Sequence, residues 1–402
     1  MLVDPRAIAN WIQSLRVSDA EGGYAYRHSV GSDYSPFSSC FAALTLSLVG
    51  GLENFSDYEK RGWADYLRGL QDERTGCFDP GDVDLTGKAH DRDYVTWHLT
   101  TFCLAALLEL GHEPRFPFSA VSQWHGRDRV RTWLSGLKWR DPWCAGNLVM
   151  FVCIMLLWEA ERRGDEKSRQ AVEDILDWHD EQQRPASGFW GRGRRSDFLE
   201  GFGGALHQFL IYFYVGRPIN RGRRIVDRVL RLQQRDGLFT PRMGGDGCAD
   251  YDAIDLLVKM SRHDDYRIED IRRALRRAYE GLQAVRHPSG GFLWNNPHTF
   301  VWPDWLRHAC MLGSFSNWVY VNRQLLAARL HKGRRRYSDG WTVAGMPQEE
   351  PDLFATFMRI LSVYLIAEVV DVPETHEPRR FLKGPGLGWH HPTRRAEAEG
   401  AR

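Results

Sequence analysis

The chain has 402 residues with 53 Lys+Arg against 52 Asp+Glu, a formal net charge of +1. No whole-molecule field therefore marks it as a binder of nucleic acid or of an acidic membrane surface. Hydrophobic residues at 43% and charged residues at 26% exclude a disordered chain and support a large core. Seven cysteines, an odd number scattered through apolar runs, argue against a disulfide framework and for reduced thiols in a cytoplasmic protein.

Residues 1–10 carry neither a basic region nor an apolar run, so no signal peptide is expected. From there, Gly-plus-aromatic turns recur at Gly22-Gly23-Tyr24, Gly76-Cys77-Phe78, Gly188-Phe189-Trp190, Gly237-Leu238-Phe239 and Gly290-Gly291-Phe292. Each follows an amphipathic segment, as in WADYLRGLQDERTGCF (63–78) and IVDRVLRLQQRDGLF (225–239). Apolar residues there fall at the spacing of a helix with one buried face, and Gly is its expected stop. Weaker turns stand at Asp141-Pro142-Trp143 and Asp339-Gly340-Trp341.

After each turn the pattern predicts a more apolar helix: 37–49, 94–110, 148–158, 198–215, 251–260, 305–315 and 354–369. A helix-hairpin repeat of about fifty residues is the signature of a solenoid or closed array. The expected fold is all-α, an α/α toroid of six, possibly seven, hairpins over residues 1–372. Apolar helices form its inner ring and amphipathic ones its outer ring. The Pro-, Gly- and charge-rich stretch 373–402 is expected to be extended or disordered. Leu148–Trp158, the most apolar stretch, is too short to span a bilayer.

An Asp followed by an aromatic precedes or opens most inner helices: Asp33-Tyr34, Asp93-Tyr94, Asp197-Phe198, Asp250-Tyr251 and Asp304-Trp305, with Asp352 and Asp141 in the weaker repeats. Capping of free helix N–H groups explains this mark. In a closed ring the loops entering the inner helices share one face, so their side chains converge on the mouth of a central cavity. That convergence makes His28, Asp93, Tyr94, Trp97, Arg195, Tyr251 and Trp305 candidates for holding a small-molecule substrate. The 16 Trp fit an aromatic lining as well as a large core.

The fifth repeat is densest, GGDGCADYDAID over 244–255. With Asp250 as cap, Asp252 and Asp255 are not needed for capping. His98 stands at the same offset from Asp93 as Asp255 from Asp250. Carboxylates this close in an apolar cavity cannot all ionise, so one becomes a potential general acid. The candidate acid/base set is Asp252, Asp255, Asp250 and His98.

The phrase LRLQQRDGLF (230–239), followed by a loop and an inner helix, resembles the repeats of squalene–hopene cyclases, related class II terpene cyclases and protein prenyltransferase β subunits. By the cyclase resemblance, Asp250-Tyr251-Asp252-Ala253 matches an Asp-x-Asp-Asp motif up to its last carboxylate, and Asp252 would donate a proton to an alkene or epoxide. By the prenyltransferase resemblance, Asp246, Cys248 and His308 would hold zinc; magnesium is the other cofactor left open. Carbohydrate chemistry on an α/α barrel is the competing enzymatic expectation, and a non-catalytic binding scaffold the remaining one. The leading expectation is a terpenoid cyclase or prenyltransferase-like enzyme acting on a prenyl or polyprenyl-derived substrate.

Overall fold

The computed structural model describes residues 2–17, 23–81, 91–193, 196, 199–239, 245–296, 319, 349–373 and 380–390. In chain order its first helices are α1 (Pro5–Ser14), α2 (Pro36–Leu48), α3 (Asp57–Arg68), α4 (Arg92–Glu109), α5 (Arg127–Gly136) and α6 (Pro142–Arg163). There follow α7 (Glu166–Gln182), α8 (Leu199–Val215), α9 (Gly222–Leu232), α10 (Gly247–Met260), α11 (Ile268–Gln283) and α12 (Leu353–Ala367).

The odd-numbered helices are amphipathic, and their starts are written locally. Asp4 caps α1 through the N–H groups of Arg6 and Ala7, with Pro5 in the first turn. Ser56 and Glu59 form a reciprocal capping box on α3. In α11 Ile271, Ala274, Leu275, Ala278 and Leu282 are buried at helical spacing, while Arg273 and Arg276 are exposed. The even-numbered helices are buried on nearly every side, as the unbroken buried run from Val149 to Ala160 of α6 shows.

That difference sorts the helices into two layers. Packing runs α2 to α4, α4 to α6, α6 to α8, α8 to α10, α10 to α12, and α12 back to α2. The ring is closed, an α/α toroid with six inner staves among the described residues. The helix expected as seventh, 354–369, holds the sixth inner position; the 305–315 segment expected there lies outside the described residues. α6 is long and apolar enough to cross a membrane, yet most of it is buried inside the ring.

The seam is sewn by the first and last repeats. Leu353 donates its N–H to the His28 carbonyl at 3.0 Å, and Glu350 accepts from the Ser29 hydroxyl and the Gly31 N–H, both at 2.9 Å. A short antiparallel ribbon, Arg16–Val17 with Ala25–Tyr26, shapes the approach to α2.

Two bonds recur between repeats. The buried amides of Gln71, Gln183 and Gln233 each donate to the carbonyl of their own turn glycine, Gly76, Gly188 and Gly237, at 2.8 Å. Each also reaches a carbonyl further along, that of Phe116, Asn220 or Ala274. The turn aromatics Phe78, Phe239 and Phe292 donate their N–H to Thr100, Asp250 and Thr356 on the inner helices. Gly237 has φ +88°, and a Cβ there would lie 2.0 Å from the Arg277 carbonyl oxygen, so the turn needs glycine twice over.

The caps differ in part from expectation. Asp141 and Asp352 do cap α6 and α12. Asp33, Asp93 and Asp250 do not cap: Ser35, Asp91 and Asp246 start α2, α4 and α10. Asp197 and Asp304 lie outside the described residues.

Candidate active site

Asp246 opens α10 by accepting the N–H groups of Cys248 and Ala249 at 3.2 Å. Starting the helix there, four residues before Asp250, fixes which side chains look where. At ~100° per residue, Tyr251, Asp255, Cys248, Lys259 and Asp252 fall within a single arc of about 100°, and Asp250 lies on the far side. Asp252, Asp255, Tyr251 and Lys259 on this arc are buried, and Cys248 at its top is partly exposed.

Asp250 is committed to structure. Its Oδ1 accepts the Phe239 N–H at 2.7 Å, and its Oδ2 accepts the Asp246 N–H at 2.9 Å and Arg359 Nη1 of α12 at 2.6 Å. Burial raises its carboxyl pKa, with Arg359 and the two amides pulling the other way. A carboxylate holding three donors braces the start of α10 against α12.

Asp255 is also engaged. Its Oδ2 accepts from Lys259 Nζ at 2.8 Å, both residues being buried. Burial pushes the Asp255 carboxyl up and the Lys259 ammonium down, and their contact opposes both shifts.

Asp252 is different. It is fully buried, and neither oxygen has a hydrogen-bond partner among the described residues. Burial, then the neighbouring carboxyls of Asp246, Asp255 and Asp250, hold its pKa well above the ordinary carboxylate value. Burial of this kind favours the neutral, proton-bearing form of the carboxyl.

Between the inner helices aromatic rings meet one another. Phe41 of α2 meets Phe102 of α4 at 4.7 Å and Phe354 of α12 at 4.9 Å, and Trp294 stacks on Phe354 at 5.5 Å. His98 stacks on Phe151 of α6 at 4.7 Å and meets Phe37 edge-on at 5.4 Å. Tyr94 faces Phe151 and accepts the Asn147 amide N–H at 2.9 Å. His207 of α8 lies 6.4 Å from Trp143.

The structure thus brings Asp252, Asp255 and Tyr251 onto one helix face, and gathers His98 and Tyr94 with the aromatic rings. Other expected residues go elsewhere. His28 is buried 3.3 Å from Asp352, at the ring seam. Trp97 packs edge-on against Trp124 at 5.2 Å, turned toward the outer layer, and Asp93 is exposed. Arg195, Trp305 and His308 lie outside the described residues. For the metal set, Asp246 is spent on the cap, and no three His, Cys, Asp or Glu side chains converge as metal ligands among the described residues. Lys259 and Arg359, which decide the fate of Asp255 and Asp250, were missed. The i, i+4 spacing of Asp255 and Lys259 was a visible signal; nothing local signalled Arg359.

No family model matches the sequence, and no curated protein matches it. Among solved structures the chain is similar to the type II terpene cyclase MstE from Scytonema with merosterolic acid A, at 10% identity over 91% of this chain and 96% of that one, TM-score 0.47. It is similar to ent-copalyl diphosphate synthase from Streptomyces platensis, at 17% identity over 69% of this chain and 49% of that one, TM-score 0.41. Unsaturated glucuronyl hydrolase from Bacillus sp. GL1 is similar at 13% identity over 89% and 94% of the two chains, TM-score 0.35. Likeness at these levels decides nothing about substrate or mechanism. The closed ring of inner helices makes this chain an α/α toroid.

Proposed function

We propose that the protein is an acid-initiated cyclase of prenyl chains, with Asp252 as the proton donor. The observation that carries this reading is the Asp252 carboxyl itself: fully buried, without a hydrogen-bond partner among the described residues, and with its pKa raised by burial and the neighbouring carboxyls. Leaving a buried polar group unpaired costs free energy, and a donor awaiting a substrate is a reason to bear that cost.

The chemistry balances. The Asp252 proton adds to the terminal carbon-carbon double bond of a polyprenyl chain at its less substituted carbon. The cation left at the tertiary carbon is attacked by the next double bond, closing a ring. Loss of a proton from the final cation restores an alkene, and return of a proton to Asp252 resets the site, so the net reaction is an isomerisation. Rings such as Phe41, Phe102, Phe151, Phe354 and Trp294 suit the migrating charge, because aromatic faces attract cations. They offer no nucleophile to trap it.

A sugar-cleaving reading needs two free carboxyl groups across the substrate. On α10 only Asp252 is uncommitted, since Asp246 caps, Asp250 pairs with Arg359 and Asp255 pairs with Lys259. Purified protein incubated in D₂O with geranylgeraniol or its diphosphate is the direct test. The expected product is a cyclic isomer carrying deuterium at the protonated carbon, absent with Asp252→Asn. Undiminished turnover by Asp252→Asn would remove Asp252 as the donor.

A further inference from the structure

Residues 380–390, RFLKGPGLGWH, have the composition of a loose tail, but they run across the ring against the inner helices. Arg380 pairs with Glu53 in the turn after α2. The Lys383 N–H donates to Glu109 at the end of α4 at 3.0 Å. A Cβ on Gly386 would fall 2.8 Å from Ile154 Cδ1 of α6, and one on Gly388 would fall 3.2 Å from Leu361 Cδ1 of α12. Trp389 meets Tyr214 of α8 edge-on at 5.0 Å. On α10, the Gly388 N–H donates to the Tyr251 hydroxyl at 2.9 Å, and Lys259 Nζ donates to the Trp389 carbonyl at 3.1 Å with its ammonium over the Trp389 ring at 5.5 Å.

One segment therefore reaches five inner helices and the turn that follows the sixth. Its two bonds to α10 come from the helix face that carries Asp252. Backbone groups of a loop must be satisfied when buried, and here Tyr251 and Lys259 satisfy two of them. Asp255 holds Lys259 in position. Gly386 and Gly388 have φ +117° and +87°, so the segment is built from residues that allow its path and its close approach to the staves.

We propose that residues 380–390 are the floor of the central lumen, latched by Tyr251 and the Asp255–Lys259 pair, and that this floor keeps water from Asp252 and limits how long a substrate the lumen admits. The limit on length rests on the prenyl reading above; the floor does not.

Two measurements separate them. In a background with Cys144, Cys248 and Cys310 changed to Ser, Asp252→Cys reports water access through its labelling by a charged methanethiosulfonate. Breaking the latch with Lys259→Met and Asp255→Leu together should speed labelling by about tenfold or more, as local opening exposes the site. Tyr251→Phe, which keeps the ring and removes only the acceptor for Gly388, should act in the same direction if the double change impairs folding. Hydrogen exchange over 380–390 checks that the segment has loosened. Unchanged labelling with a loosened segment overturns the floor. The second measurement is binding of farnesol and geranylgeraniol by tryptophan fluorescence. Releasing the latch should raise the affinity ratio in favour of the longer alcohol, and an unchanged ratio overturns the limit on length. Failure of both alcohols to bind either protein overturns the prenyl reading, while labelling still decides the floor.

Discussion

Arg359 Nη1 lies 2.6 Å from Asp250 Oδ2, and both side chains are completely buried. The same guanidinium donates to the Trp294 carbonyl at 2.7 Å, so one arginine on α12 fixes both the start of α10 and the aromatic beside Phe354. Removing one partner of a buried ion pair leaves the other charge stranded. Arg359→Met should lower the unfolding free energy by about 3–5 kcal/mol. Adding Asp250→Leu should recover part of that loss. Urea titration of the three proteins checks the ordering, and a single change no worse than the double would contradict it.

Asp252 gives a stability signature independent of turnover. Its folded pKa is raised, by burial first, whereas in the unfolded chain an Asp ionises near ~4. Below that pH both states are protonated and the native state bears no penalty. Above it the unfolded chain releases a proton that the folded chain retains, so stability falls as pH rises toward the folded pKa, by at most about 1.4 kcal/mol per pH unit. Asp252→Asn cannot ionise and escapes this loss. Its melting temperature should match the wild type's in acid and exceed it at neutral pH. An advantage that does not grow with pH would show that the carboxyl ionises normally.

The repeat lock is testable at Gln233, whose amide donates to the Gly237 carbonyl at 2.8 Å and to the Ala274 carbonyl at 2.6 Å. Gln233→Met keeps the side chain's length but leaves both buried carbonyls short of a donor, at a cost of about 1–3 kcal/mol. Guanidinium unfolding should show it as a lower midpoint. An unchanged midpoint would mean that these carbonyls find other partners.

The architecture was readable because a hairpin repeat is local. The Leu and Trp spacing and the Gly-aromatic turns appear within single segments, and stacking copies of one unit gives a solenoid or a closed array; closure itself is made by the long-range packing of α12 on α2. The geometry of the candidate site was readable only in part. Asp252 stood out as a carboxylate beyond the needs of capping, and so it is. Asp250 was misassigned because its partner Arg359 is 109 positions away and because Asp246, hidden among glycines, makes an equally good cap. Gln71, Gln183 and Gln233 stand four or five residues before their turn glycine, a spacing open to view but easily taken for solvated polarity. Residues 380–390 were expected to be extended or disordered from Gly and Pro content. They are without helix yet bound to the ring, since glycine serves close approach as well as flexibility.

The tightest test of that last point lies between α6 and α8. A Cβ on Gly146 would fall 2.3 Å from the Gly204 carbonyl oxygen, and one on Gly204 would fall 2.1 Å from the Pro142 carbonyl oxygen. These are backbone atoms of packed helices and cannot swing aside. Replacing a helical Gly with Ala normally gains about 1 kcal/mol of propensity, whereas overpacking a rigid contact costs about 1–3 kcal/mol. The second effect should win, so Gly146→Ala should lower the melting temperature. Gly136, at the end of α5, has nothing within 4 Å of its would-be Cβ, and Gly136→Ala should leave melting unchanged or raise it. Opposite signs from the same substitution would tie the loss to the α6–α8 approach. A gain at Gly146 would mean that the two staves can separate by enough to admit a methyl group.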